Sequence, residues 1–113
     1  MQVITTLTNH PNQRHQLVLE NRESADFRLY FLARQMSWYY DISYNDITIN
    51  CNKVVLTPNS LRQFRKILPF GLMFYTDGNV EPFKIDDFSS GRIKMGILNA
   101  DEVKQAEEEI YNR

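Results

Sequence analysis

Side chains able to do chemistry are few in this sequence, and their spacing decides what each could do. His10 and His15 stand five residues apart, on either side of a turn. A zinc site needs a third and a fourth ligand, and no Asp or Glu lies nearby before Glu20, so both histidines are expected at the surface. Cys51 is the single cysteine. A nucleophilic thiol needs a base and an electropositive pocket. Cys51 instead ends an alternating strand on the face of Ile47 and Ile49, and is expected in the core as a small hydrophobe. Asp86 and Asp87 are adjacent; neighbours on a strand point to opposite faces, which suits them poorly to paired acid–base work. The four glycines match no phosphate-loop or dinucleotide pattern, and no G-x-S-x-G elbow exists. No catalytic residue, cofactor site or metal site is expected.

One basic-aromatic cluster stands out: Arg62, Phe64, Arg65 and Lys66, followed by Phe70. It could contact an acidic partner surface or be the polar face of a short helix. A second amphipathic element follows Asn99. Val103, Ala106 and Ile110 form one thin apolar stripe there, and Glu107 to Glu109 read as a solvated face. These seven residues, Arg62, Phe64, Arg65, Lys66, Val103, Ala106 and Ile110, form the candidate protein interface. Residues 99–113 hold five acids against two bases, a local charge of −3, which leaves +2 for residues 1–98 of a chain whose net charge is −1. That balance lacks the bulk positive charge that drives phosphate-backbone binding, so nucleic acid is not the expected partner.

The elements that must position these residues are mostly strands. The 113 residues, 42% hydrophobic and 12% aromatic, make one ordinary domain able to bury a core without disulfides. No stretch approaches the roughly 20 apolar residues of a transmembrane helix. The N-terminal MQVITTLTNHPNQRHQ has no basic region followed by an apolar core, so no signal peptide is expected. The dominant period is two. Strands are predicted at 2–8, 15–20, 26–34 and 37–44, then through Ile47, Ile49 and Cys51, and again at 70–76 and 92–98. Phe27, Leu29 and Phe31 share one face, as do Trp38, Tyr40, Ile42 and Tyr44, and Ile93, Met95 and Ile97. Some of Tyr30, Tyr39 and Tyr75 should point away from the core. Asn45-Asp46 and Asp77-Gly78 read as tight turns. Ser60 and Gln63 fit a capping box for a short helix near 60–68 that ends before Pro69. Asn99 and Glu102 fit another, opening a C-terminal helix, with Leu98 and Val103 as its hydrophobic staple. The predicted fold is mainly β: a small single-domain β-barrel or sandwich of about seven or eight short antiparallel strands. Residues 1–98 form the β domain and 99–113 the acidic helix.

The order of these segments resembles the phage baseplate plug family of contractile-tailed cyanophages. The resemblance rests on Pro11-Asn12-Gln13, His15 to Leu19, Phe27 to Phe31, Trp38 to Ile42, Val54 to Pro58, Gly71 to Tyr75 into Asp77-Gly78, and Arg92 to Leu98. Two departures are Phe64 to Phe70, where members often carry a glycine-rich segment, and the acidic helix after Asn99. What the resemblance implies is a non-enzymatic structural protein of the virion tail, assembled in the host bacterial cytoplasm. It would plug or line the tail-tube lumen at the hub, contacting hub, other baseplate and tape-measure proteins. It implies no cofactor and no membrane, and is compatible with a homo-oligomer around the tail axis. The alternative is an OB-type nucleic-acid-binding domain, which needs aromatics and Arg/Lys together on an exposed strand face; Arg28 beside Tyr30 is the clearest such pair in the strands.

Overall fold

The computed structural model describes residues 1–19, 22–76 and 80–111, with side chains as far as residue 108. Seven strands are present among them: β1 Gln2–Ile4, β2 Asn12–Val18, β3 Ser24–Leu32, β4 Ser37–Tyr44, β5 Ile47–Lys53, β6 Gly71–Tyr75 and β7 Lys94–Leu98. A 3-10 helix covers Arg62–Phe64, and α1 covers Ala100–Tyr111. The strands form two antiparallel sheets, β2-β3-β4-β5 in sequence order and β1-β7-β6. The chain is thus mainly β, as its period indicates. The sheets do not close into a barrel, because β1 pairs with β7 and not with β2.

Local residue chemistry explains most boundaries. Alternation in β3 and β4 buries Phe27, Leu29, Trp38, Tyr40 and Ile42 and turns Arg28, Tyr30, Tyr39 and Asp41 outward. The β4–β5 hairpin turns through Asn45-Asp46, where Asn45 adopts φ 51, a left-handed conformation that Asn tolerates. β2 starts earlier than its hydrophobic run, because Gln13 carries the turn before it: its amide donates to the carbonyls of Thr8 (2.8 Å) and His10 (3.1 Å). β1 stops at Ile4 instead of running to Thr8. The expected Asp77-Gly78 turn and the strand end at Glu20 lie outside the described residues.

Two expectations are corrected by irregular backbone. Tyr40 pairs with Asn52 and Ile42 with Ile49, so Asn50 and Cys51 both lie across from Asp41. This bulge breaks the alternation. Cys51 takes φ 57 and is exposed, not core, while its N–H donates to the Asp41 carboxylate at 2.7 Å. Asn52 becomes the half-buried residue and donates to the Tyr40 hydroxyl. The second concerns Ser60, which caps nothing; its hydroxyl bonds Tyr40. Buried Asn59 receives the N–H of Leu61 (3.0 Å) and of Leu72 (3.2 Å) instead. The expected helix shortens to three residues of 3-10 helix with turns after it.

The sheets meet through aromatic rings. Tyr40 of β4 lies 5.6 Å from Phe74 of β6, and Tyr44 lies 5.5 Å from Phe70. Such offset or edge contacts add to the area term. Gly71 is required where β6 passes Asn59: a Cβ there would sit 2.5–2.9 Å from the Asn59 amide atoms. Because that amide is held by two backbone donors, Gly71→Ala should destabilise the fold by about 1–3 kcal/mol. A urea titration checks this, and an unchanged midpoint would show that Asn59 can move aside.

Candidate interaction surfaces and family

The sequence-selected interface is largely occupied by the chain itself. Arg62 donates to both carboxylate oxygens of Glu107 (Nε 2.9 Å, Nη2 3.1 Å), and Arg65 Nε lies 3.6 Å from the same group. This docks α1 on the 3-10 segment across 45 residues of sequence. Glu107 is therefore half-buried and paired, not solvated, while Glu108 is exposed. Ala106 is buried and Val103 half-buried. Phe64 packs against the core, and Lys66 is exposed. The side chains of Glu109 and Ile110 lie outside the described residues.

The start of α1 is built as its spacing predicts. Asn99 Oδ1 accepts the Glu102 N–H at 2.9 Å, and Glu102 accepts the Asn99 N–H at 3.1 Å, a reciprocal capping box. Glu102 also pairs with the Met1 amine, and that bond, opposed by some burial, holds its carboxyl below the ordinary glutamate value.

The connection between β6 and β7 carries a polar knot that has no sequence signature. Asp87 is 1% exposed. Its carboxylate receives the N–H groups of Phe83 (2.7 Å) and Lys84 (2.8 Å) and Arg92 Nε at 2.7 Å. Burial alone would raise its pKa, but the Arg92 bond and the two N–H donors outweigh that and hold it below the usual value. Arg92 further donates to the Val80 and Glu81 carbonyls. Asp86 is exposed, so the two aspartates serve different surroundings.

Strand register assembles a third surface on the outer face of the four-stranded sheet. One cross-strand row reads Asn12, Tyr30, Tyr39, Lys53, and the next reads Arg14, Arg28, Asp41. Tyr30 and Tyr39 stack at 6.2 Å, and the Arg28 guanidinium lies 4.4 Å from the Tyr30 centroid. Burial, contact with Cys51 and the nearby Asp41 carboxylate push the Tyr30 hydroxyl well above its usual pKa. Alternation placed Arg28, Tyr30 and Tyr39 outward; it could not tell which of them become neighbours.

Histidine chemistry stays local. His10 is exposed, while His15 is half-buried and bonds Gln13 Oε1 at 2.8 Å, with burial lowering its pKa. Among the described residues no group of three or more His, Cys, Asp or Glu could hold a metal ion. No helix among them is long and apolar enough to cross a membrane.

The family model described as cyanophage baseplate Pam3 plug gp18 matches residues 1–100, the whole two-sheet unit. The chain belongs to this family. It is accordingly a structural component of a phage tail baseplate, placed in the virion tail. No curated protein matches the chain. The match ends as α1 begins, so most of the acidic helix of this plug-family member lies beyond the matched residues.

Proposed function

We propose that the chain plugs or lines the central hub of the tail tube without enzymatic activity, touching hub and tape-measure proteins there. The observation that carries this reading is the family match spanning both sheets. The layout of charged groups supports it: Asp87, Arg92, Arg62, Glu107 and Glu102 are paired within the chain and tie its segments together. Assembly in the host bacterial cytoplasm belongs to the same reading, as does an arrangement of copies around the tail axis. Cryo-EM of intact tails tests it: density for two antiparallel sheets at the central axis is the expected result. Finding the chain only at the baseplate periphery would overturn the hub placement.

In this reading 1–98 and 99–113 have separate duties, the first forming the plug body and the second strengthening assembly. A truncation ending at Leu98 should remain folded. It loses the buried Ala106 methyl and three partly exposed ion pairs, Met1–Glu102, Arg62–Glu107 and Arg65–Glu107, each worth at most about 1 kcal/mol, against a total stability of roughly 5–15 kcal/mol. Circular dichroism should keep its β signature while incorporation into tails falls. An unfolded product would make α1 part of the core, and undiminished incorporation would remove its assembly role.

A further inference from the structure

The outer face of β2-β3-β4-β5 carries a charge arrangement that the isolated chain leaves unresolved. Arg14 and Arg28 are direct cross-strand partners, and like charges in that position repel. Arg28 has partners within the chain: Nε donates to Asn12 (2.9 Å), Nη1 to Asp41 (3.1 Å), and its guanidinium carbon lies 4.4 Å from the Tyr30 ring centroid. Arg14 is exposed and has no hydrogen-bonding or ionic partner among the described residues. Asp26, its diagonal neighbour across Gln16, forms no ion pair with it. A shallow depression of about 610 Å³ runs across this region, and its charged and titratable lining residues are Arg14, His15, Asp26, Arg28 and Asp41.

The surrounding groups are held before any partner arrives. Asp41 receives Arg28, the Tyr30 hydroxyl (3.1 Å) and the Cys51 N–H. Tyr39 stacks on Tyr30. A rigid platform of Tyr and Arg loses little entropy on docking, and these residue types dominate binding energy at protein interfaces.

We propose that this face seats a segment of a neighbouring baseplate protein that presents a single carboxylate, which lies against Arg14 beside Arg28. The proposal rests on the hub reading above. Charge selects the occupant. A single carboxylate relieves the Arg14–Arg28 repulsion, whereas a phosphate backbone crossing the face would also meet Asp26 and Asp41. Tyr30 has its ring already covered by Arg28 and Tyr39, which disfavours base stacking on it.

The experiment has two arms. In the isolated protein, Arg14→Thr should melt at or above the parent temperature, because it removes repulsion; a clear drop would show a structural role and overturn the proposal. In purified tails, Arg14→Glu should lower occupancy by about fivefold to tenfold, with Arg14→Lys retaining most of it; parental occupancy in Arg14→Glu would overturn the proposal. Tails carrying Tyr39→p-benzoylphenylalanine should crosslink on irradiation to a peptide of another baseplate protein that contains Asp or Glu. A crosslink to a second copy of this chain, a crosslink to DNA, or none from a chain present in the tail would each overturn the docking face alone. Absence of the parent chain from purified tails would overturn the hub reading and this inference with it.

Discussion

Replacing Asp87 with alanine is expected to lower the unfolding free energy by about 2–4 kcal/mol, because it removes a buried carboxylate that accepts two backbone N–H groups and a guanidinium N–H. The carboxylate is 1% exposed and gathers Phe83 N–H, Lys84 N–H and Arg92 Nε at 2.7–2.8 Å. Without it, the Phe83 and Lys84 N–H groups and Arg92 Nε lose their acceptor in the β6–β7 connection, while the other Arg92 nitrogens keep the Val80 and Glu81 carbonyls. Each such orphan group carries a desolvation penalty of about 1–3 kcal/mol. The pH dependence has a definite sign. Asp87 titrates lower in the fold than in the unfolded chain, so its stabilisation is complete above the ordinary aspartate value of about 4 and fades as pH falls through the folded-state value. Urea unfolding of the parent should therefore weaken on acidification, and Asp87→Asn should show a flatter acid limb from a lower plateau. A loss below about 1 kcal/mol at neutral pH would show that the connection is held by other contacts.

The second large effect is expected at Trp38. Trp38→Ala should cost about 3–5 kcal/mol, which lowers the melting temperature by on the order of 10–20 °C in a domain of this size. The indole is 0% exposed, stands edge-on to Phe88 at 5.3 Å and lies 5.3 Å from Phe31. Its Nε1 donates to the Lys84 carbonyl at 2.9 Å. It is thus the point where β4 grips the same connection that Asp87 organises, and truncation removes ring contacts and a hydrogen bond together. Trp38→Phe separates the two, since it keeps much of the ring volume and leaves the Lys84 carbonyl without its donor. It should fall between the parent and Trp38→Ala. A Trp38→Ala variant melting within a degree or two of the parent would contradict the buried position.

These two residues also show how differently the sequence exposed its content. Trp38 was legible because its face repeats at Tyr40, Ile42 and Tyr44, and a strand with one buried side must alternate. The faces of β3, the Asn45-Asp46 turn and the Asn99–Glu102 capping box were legible for the same reason. Each is a relation between residues a few positions apart, so local geometry and residue type determine it. Asp87 belongs to no such pattern. Its burial follows from Arg92 and from backbone donors that a turn delivers, and nothing in the pair Asp86-Asp87 says which carboxylate faces inward.

Cys51 shows where local pattern misleads. Parity along a strand holds only while pairing stays regular, and the bulge opposite Asp41 shifts it by one, exposing the cysteine and turning Asn52 inward. Ser60 shows the same limit at a helix start: the capping-box spacing was present, but Tyr40 claimed the hydroxyl and Asn59 took the backbone N–H groups. The sequence by itself therefore determined the β class, the buried faces of β3, β4 and β7, the beginning of α1 and the resemblance to the plug family. Only the tertiary structure decided that the sheets stay separate, that Glu107 meets Arg62 across 45 residues, and that Arg14, Arg28, Tyr30 and Tyr39 share one platform. The reason is physical. Propensity and period act within a few residues, whereas register, bulges and ion pairing are set by whichever distant partner lowers the free energy of the whole chain.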